Sequence, residues 1–215
     1  MKNLIIFFKG FASIQEMYTG FIPQGYDYVF YDELESKNIK NIVKNYKTII
    51  FLGWSLGSLL AIKSINEIKP NKLVLISPTF NFTENFSKQI LEKMQKNILK
   101  NKELTLKQFF KNCFFYKENY KKFIEKYFNN IKKIEEKKLI KELEYLKNIK
   151  IKEEKFNIES LIIYSNKDKI IFKESSIKVF NNFFNSKKIE IDNCGHIIFF
   201  EKDIYEIVRS FIIDK

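Results

Sequence analysis

A β-branched, aromatic run, Thr48-Ile49-Ile50-Phe51-Leu52, passes without a break into Gly53-Trp54-Ser55-Leu56-Gly57. A stretch of helical periodicity follows, Leu56 to Ile68, whose apolar face is Leu59, Leu60, Ile62 and Ile65, and Pro70 marks its end. A strand that turns at once into a helix is sterically crowded. Two glycines around a serine relieve that crowding and force the serine outward at the head of the helix. Free N–H groups and the positive end of the helix dipole gather at the same place, suited to stabilising negative charge. Gly-x-Ser-x-Gly recurs by chance as a string, so its weight here comes from the strand before it and the helix after it.

The rest of the chain repeats the pattern. Leu4–Phe8 reads as a first strand, with a short helix after Gly10-Phe11-Ala12-Ser13. Tyr26–Tyr31 reads as a second strand, closed by Asp32-Glu33 and followed by a short polar helix over Asn38–Asn45. Thr48–Leu52 is the third strand and Leu73–Ile76 the fourth. Alternation then stops. From about Phe82 to Glu159 only helical periodicity is found: Ile90-Leu91-Met94-Ile98, Phe123-Tyr127-Ile131-Ile134 and Leu139-Leu143-Leu146. It resumes with a strand at Leu161–Tyr164, a helix near Glu174–Phe184, a strand at Lys188–Ile191 and a closing helix near Asp203–Ile213. Alternating strands and helices predict an α/β fold, a mostly parallel sheet with helices on both faces. The single interruption predicts a helical lid inserted after the fourth strand, with 1–80 and 160–215 as core and 81–159 as insert. No repeat or linker is visible.

Of the residues, 45% are hydrophobic and 16% aromatic, enough for a sizeable core over 215 residues, so disorder is excluded. The apolar runs are strand-length, too short to span a bilayer or to serve as a signal h-region. The sequons at Asn81 and Asn85 therefore carry no weight. Cys113 and Cys194, the two cysteines, have no metal-like spacing, and a cytoplasmic location with no metal or cofactor is expected. Residues 81–159 hold 20 Lys and 12 Glu, net +8 of the chain's +12. That concentration makes an acidic macromolecular partner worth considering. Arg209 is the one arginine, and abundant Lys, Asn, Ile and Phe also suit an AT-rich genome, so both readings stand.

A serine hydroxyl needs a base to act as a nucleophile. The chain has one histidine, His196, in Asp192-Asn193-Cys194-Gly195-His196 after the last strand and 141 residues beyond Ser55. An orienting acid should follow the preceding strand, and Leu161-Ile162-Ile163-Tyr164-Ser165-Asn166-Lys167-Asp168 puts Asp168 there. Asp192 and Asp203 are competitors: the first is four residues from His196, the second opens the final helix, where a carboxylate suits the dipole. Asp168 is preferred, to hold the imidazole tautomer and stabilise the imidazolium. The oxyanion hole is expected from the N–H of Leu56 and the N–H of Phe11 in the loop after the first strand.

These residues resemble the α/β-hydrolase superfamily and, within it, the pimeloyl-acyl carrier protein methyl ester carboxylesterases of biotin synthesis, the BioH and BioG types. The resemblance lies in Ile50 to Gly57 with Ala61, in Leu75-Ile76-Ser77-Pro78-Thr79-Phe80, and in Leu161–Asp168. It extends to Cys194-Gly195-His196 with Phe199-Phe200, and more weakly to Leu139–Ile149. Lys9-Gly10 replaces the usual His-Gly. Phe7-Phe8-x-Gly and Tyr31-Asp32 look more like the BioG type. The resemblance implies an α/β-hydrolase fold and a serine esterase, with Ser55, Asp168 and His196 as triad. It also implies substrate contacts from Trp54, Phe109 and Phe110, although such aromatics more often pack a lid's own core. An acidic acyl carrier protein would be the partner, docking on lid lysines such as Lys121, Lys122 and Lys126, with Lys132 and Lys133 nearby. A monomer is expected, with no nucleic acid and no membrane. Alternatives are a general short-chain carboxylesterase or acyl thioesterase and, more remotely, a non-catalytic binding protein of this fold. Nucleic-acid binding lacks any recognised motif.

Overall fold

A computed structural model describes residues 2–31, 39–201 and 203–214. Its six strands are β1 (Lys2–Phe8), β2 (Asp27–Tyr31), β3 (Tyr46–Trp54), β4 (Lys72–Ile76), β5 (Glu159–Ser165) and β6 (Ser186–Ile191). They form one sheet in the order β2-β1-β3-β4-β5-β6, with every neighbouring pair parallel. All five residues of β4 are buried, as are the last six of β5 and the last five of β1 and of β3. Burial on both faces is what a parallel sheet sandwiched between helices requires, and it explains why these strands read as continuous apolar runs. The outer strands differ. β6 alternates as Ser-Lys-Lys-Ile-Glu-Ile and is only partly buried, its charges blunting an edge that could otherwise recruit a further strand.

The helices are α1 (Ile39–Val43), α2 (Leu56–Ile68), α3 (Lys88–Asn112), α4 (Lys117–Ile131), α5 (Glu136–Asn148), α6 (Lys173–Phe180) and α7 (Ile204–Ile213). Three of them, α3 to α5, lie between β4 and β5, where the alternation lapses. The ends of that block meet across the isolated antiparallel bridge Asn81–Lys150 and the 2.9 Å bond from Ile151 N–H to the Phe80 carbonyl. Each helix buries one stripe: Leu91, Ile98, Leu106 and Phe110; Phe123, Tyr127 and Ile131; Leu139, Leu143 and Leu146. Ile90, expected on that stripe, is 48% exposed, because one residue along a helix is a turn of about 100°. α3 is kinked at Asn101 (φ −159, ψ 87), whose side-chain oxygen accepts from Leu104 N–H at 3.0 Å and restarts the helix.

Other expectations shift at their edges. β3 runs on through Trp54, so the elbow is strand up to the residue before Ser55. β4 takes in Lys72, whose ammonium is neutralised and satisfied inside the fold. It donates to the carbonyls of Phe211 at 2.8 Å and Asp214 at 2.6 Å, at the end of α7, and pairs with Glu159 at 3.1 Å. α6 ends at Phe180, because the chain must turn to enter β6 and Phe183 stacks on Phe156 at 4.8 Å. The predicted short helix after Ser13 is two 3₁₀ turns, Gln15–Met17 and Thr19–Phe21. Asp32-Glu33 and Asn38 lie outside the described residues. No helix among the described residues is long and apolar enough to cross a membrane.

β1 leads outward to β2 on one side, and the chain returns to β3 on the other. The carboxyl ends of β1 and β3 therefore flank the point where strand order reverses, the crevice in which open α/β sheets hold ligands. The loop Gly10–Ser13 and Ser55 both emerge there.

Candidate active site

At the end of β3 the backbone of Ser55 takes φ 57, ψ −117, a conformation a non-glycine residue keeps only when its surroundings impose it. Three bonds do so here. Ser55 N–H donates to the Ile76 carbonyl at 2.9 Å, and the Ser55 carbonyl accepts from Ser58 N–H at 2.9 Å and Leu59 N–H at 3.3 Å. Ser58 Oγ closes the turn by reaching the carbonyls of Gly53 at 2.8 Å and Ile76 at 3.0 Å. The chains approach so closely that a Cβ on Gly57 would run into the carbonyl oxygen of Phe8 on β1. The second glycine of the motif is thus required by inter-strand packing as well as by the turn.

Asp168 follows β5 and is buried. Its Oδ1 accepts from Ile170 N–H at 2.8 Å and Ile171 N–H at 3.0 Å, leaving Oδ2 at 2.7 Å from His196 Nδ1. Both side chains of that pair are 1% exposed. A carboxylate accepts only, so Nδ1 carries the ring proton and Nε2 presents its lone pair. Nε2 is buried without a hydrogen-bond partner, and no hydrogen bond joins it to the Ser55 hydroxyl. The His196 loop is anchored from two sides: its carbonyl accepts from Trp54 Nε1 at 3.1 Å, and Ile197 N–H donates to the Cys113 carbonyl at 3.1 Å. The competing acids are placed elsewhere. Asp192 accepts from Asn166 Nδ2 at 2.6 Å on the exposed side of its loop, and Asp203 sits at the N-terminus of α7.

The loop after β1 is held almost atom by atom. Gly10 N–H donates to Tyr18 Oη at 2.7 Å, and Ser13 N–H donates to the Gly10 carbonyl at 3.2 Å. Ser13 Oγ bonds that same carbonyl at 2.8 Å and lies 2.9 Å from Tyr18 Oη. Burial pushes the Tyr18 phenol far above its ordinary range, so it stays protonated. Ala12, at φ +54, donates its N–H to Glu142 Oε2 at 3.0 Å. Of the four N–H groups in Gly10–Ser13, the one left without an acceptor among the described residues is that of Phe11. Leu56 N–H, first in α2, is likewise unspent. These are the two donors the sequence suggests.

Above Ser55 lies a narrow, largely enclosed cavity of about 20 Å³, roughly room for one water. The insert contributes Phe82, Phe86, Leu91, Met94, Phe109, Leu143 and Leu146, and the remaining wall is Phe11, Ser55 and Ile170. Apart from Ser55 the wall is apolar. Phe109 lines this cavity, its ring edge-on to Phe11 at 5.2 Å. Phe110 and Trp54, the other two expected substrate contacts, do not line it. Phe110 is fully buried behind Phe109, against Phe123 at 4.7 Å, one residue round the helix and facing the insert's own core. Trp54 alternates with Ser55 and points away. It is 1% exposed, with its indole over Gly10, where a Cβ would collide with the ring, and its N–H spent on the His196 carbonyl. It therefore braces the histidine loop and the Phe11 loop against each other. Lys121, Lys122 and Lys126 are exposed on α4 and do not line the cavity. Glu142 and most of the cavity wall were not anticipated. The Leu139-Leu143-Leu146 stripe was legible, but nothing local says which partner it meets.

No cluster of three or more His, Cys, Asp or Glu suited to a metal occurs among the described residues. Burial raises the Cys113 and Cys194 thiols well above their ordinary value, which makes them inert rather than nucleophilic.

A search of curated proteins by sequence finds no match. Among solved structures the chain is similar to an esterase, EaEST, from Exiguobacterium antarcticum, at TM-score 0.79 and 16% identity. That match covers 98% of this chain and 90% of the other. It is also similar to a bromoperoxidase from Bacillus anthracis (0.77, 16%, covering 100% and 93%) and an enol-lactonase from Burkholderia xenovorans LB400 (0.77, 12%, covering 99% and 92%). At such identities the likeness concerns the fold, and the three names span different reactions, so the substrate must be argued from the site. A model of the Hydrolase_4 family, described as serine aminopeptidase, S33, matches residues 17–203. The chain belongs to that family, a hydrolase of the α/β-hydrolase superfamily.

Proposed function

We propose that the protein is a serine carboxylesterase in which Ser55, His196 and Asp168 act as nucleophile, base and orienting acid. The observation that carries this reading is the buried 2.7 Å Asp168–His196 pair, with Nε2 left unpartnered on the same sheet edge as the Ser55 elbow. In the reaction, the Ser55 hydroxyl turns to Nε2 and gives up its proton as Oγ attacks the acyl carbonyl. The N–H groups of Phe11 and Leu56 take the oxyanion, His196 returns the proton to the departing alcohol, and water repeats the sequence to free the acid. Catalytic hydrogen bonds commonly tighten only with substrate bound, so the unmade bond between Ser55 and Nε2 is compatible with this role. The apolar wall supports an acyl group rather than an aminoacyl one: it holds no carboxylate to pair with an α-ammonium.

The narrower reading is hydrolysis of the methyl ester of pimeloyl-acyl carrier protein in the cytoplasm, by a monomer. Its support is the sequence resemblance, the unpaired thiols of Cys113 and Cys194, and the exposed α4 lysines Lys121, Lys122 and Lys126, suited to an acidic carrier. A cavity of about 20 Å³ admits an acyl group only when α3 or α5 moves aside, and a small acyl group needs the smaller movement, which supports the alternative of a small-acyl esterase. Two experiments separate these. A fluorophosphonate probe should label the wild type and not Ser55→Ala; an unlabelled wild type at pH 8 rejects serine catalysis. Restored biotin-independent growth of a strain lacking its own methyl esterase supports the carrier-bound substrate, and failure of the wild-type gene to restore it leaves the small-acyl reading.

A further inference from the structure

We propose that Glu142 is a positioning residue that couples seating of the insert over Ser55 to assembly of the oxyanion hole. The inference rests on the serine-esterase reading above and deepens it. Three observations meet at this residue. Glu142 lies on α5, one position before Leu143 and four before Leu146, both of which roof the cavity. It is buried, and its Oε2 accepts the N–H of Ala12 across 130 residues of sequence. Ala12 is the neighbour of Phe11 and holds a left-handed conformation that alanine adopts only under constraint.

The remaining bonds of the loop come from the core: Tyr18 holds Gly10, and Gly10 holds Ser13. Glu142 is the one acceptor for a Gly10–Ser13 N–H, among the described residues, that comes from the insert. Phe109, on α3, touches the same loop by packing on the Phe11 ring. Phe11 N–H shares its peptide plane with the Gly10 carbonyl, which Ser13 holds, and the next plane is clamped from above at Ala12 N–H; the two planes meet at the Phe11 Cα, so the Phe11 donor is fixed from the core on one side and from the insert on the other. A cavity of about 20 Å³ cannot receive an acyl chain without displacement of α5 or α3, and a chain that displaces α5 opens the clamp, which closes again behind it. Acyl groups that let α5 settle again regain the Phe11 donor. Those that wedge it outward bind without it. Discrimination by chain length then falls on kcat more than on KM, because the lost contact is one made to the developing oxyanion rather than to the bound ester.

The test uses the full-length protein with Glu142→Leu, which keeps bulk and removes the acceptor, and Glu142→Gln, which keeps a carbonyl oxygen for Ala12 N–H. Amide hydrogen exchange at Ala12 is read by NMR, together with kcat and KM on p-nitrophenyl butyrate and the melting temperature. Wild type and E142Q should protect the Ala12 amide, and E142L should speed its exchange by at least about tenfold. E142L should lose about 10- to 100-fold in kcat with KM within about threefold, and E142Q should restore most of that loss. A merely structural role would lower the melting temperature without the kcat-selective loss or the rescue. Rapid exchange at Ala12 in the wild type overturns the clamp without needing any variant. Faster exchange in E142L with unchanged kcat overturns the link to the oxyanion hole. A wild type that neither turns over ester nor reacts with the fluorophosphonate rejects the esterase reading instead, while exchange at Ala12 still decides whether Glu142 holds the loop.

Discussion

Replacing Asp168 by asparagine exchanges one oxygen for an NH₂ group, and the surrounding bonds dictate which one. Two backbone N–H groups, of Ile170 and Ile171, point at Oδ1 from 2.8 and 3.0 Å. The amide must keep its oxygen there, because the flipped orientation would set donors against donors. The NH₂ then faces His196 Nδ1, 2.7 Å away in the wild type. It can only donate, so Nδ1 must become the acceptor and the ring proton moves to Nε2. A protonated Nε2 cannot take the serine proton. The same tautomer error in a Ser-His-Asp triad costs about 10⁴ in kcat, or about 5.4 kcal/mol at 1.36 kcal/mol per decade. The fold should barely notice, since both backbone bonds survive. Asp168→Ala is the contrasting case: it strands two buried N–H groups at about 1–3 kcal/mol each, a large part of a net stability of about 5–15 kcal/mol. The assay is kcat on p-nitrophenyl butyrate beside a urea unfolding curve. Asp168→Asn should lose about four decades of kcat with a nearly unchanged midpoint. If it keeps kcat within tenfold of wild type, or if Asp192→Asn shows the large loss instead, the assignment of the acid is wrong.

Other consequences are open to measurement. Leu143→Ala should enlarge the cavity over Ser55, cost about 2–5 kcal/mol of stability and raise the ratio of octanoyl to acetyl ester turnover; an unchanged chain-length profile would show that α5 does not bound the acyl site. Stability should fall at alkaline pH. The Cys113, Cys194, Tyr18 and Tyr205 acids all have folded values raised chiefly by burial, Tyr205 to about 12, so the unfolded chain sheds their protons first as pH climbs past 9.0 for the thiols and 10.0 for the phenols. Their contribution is complete below that range and is lost above it. A urea midpoint that stays flat from pH 7 to 11 would contradict the burial of these groups, as would rapid alkylation of either thiol in the native state at pH 8.

Much was legible in the chain itself, for reasons that are local. Strand and helix periods differ, so β3, α2 and the strand-free stretch before β5 could be read from spacing alone. The Ser55 elbow is a five-residue turn whose chemistry is complete within its own sequence. His196 was found by scarcity, and Asp168 by its place one strand earlier, because in a parallel sheet the carboxyl-end loops all gather on one edge.

What stayed hidden needs contacts between distant segments. Trp54 ends β3 beside Ser55, yet alternation sends it to the opposite side, under Gly10 and the His196 carbonyl. Phe109 and Phe110 differ by one helical step, and only the seating of α3 decides which of them meets Phe11. Glu142 carried no signal at all, since a glutamate in a Lys- and Glu-rich helix reads as solvated surface. Once buried, it accepts an Ala12 N–H that lies 130 residues away and that no other group among the described residues satisfies. Sequence pattern therefore determined the sheet, its order of elements and the three polar groups at its edge. Tertiary packing alone decided which face of each insert helix closes over Ser55, because a helix has many possible partners and only the folded chain chooses among them.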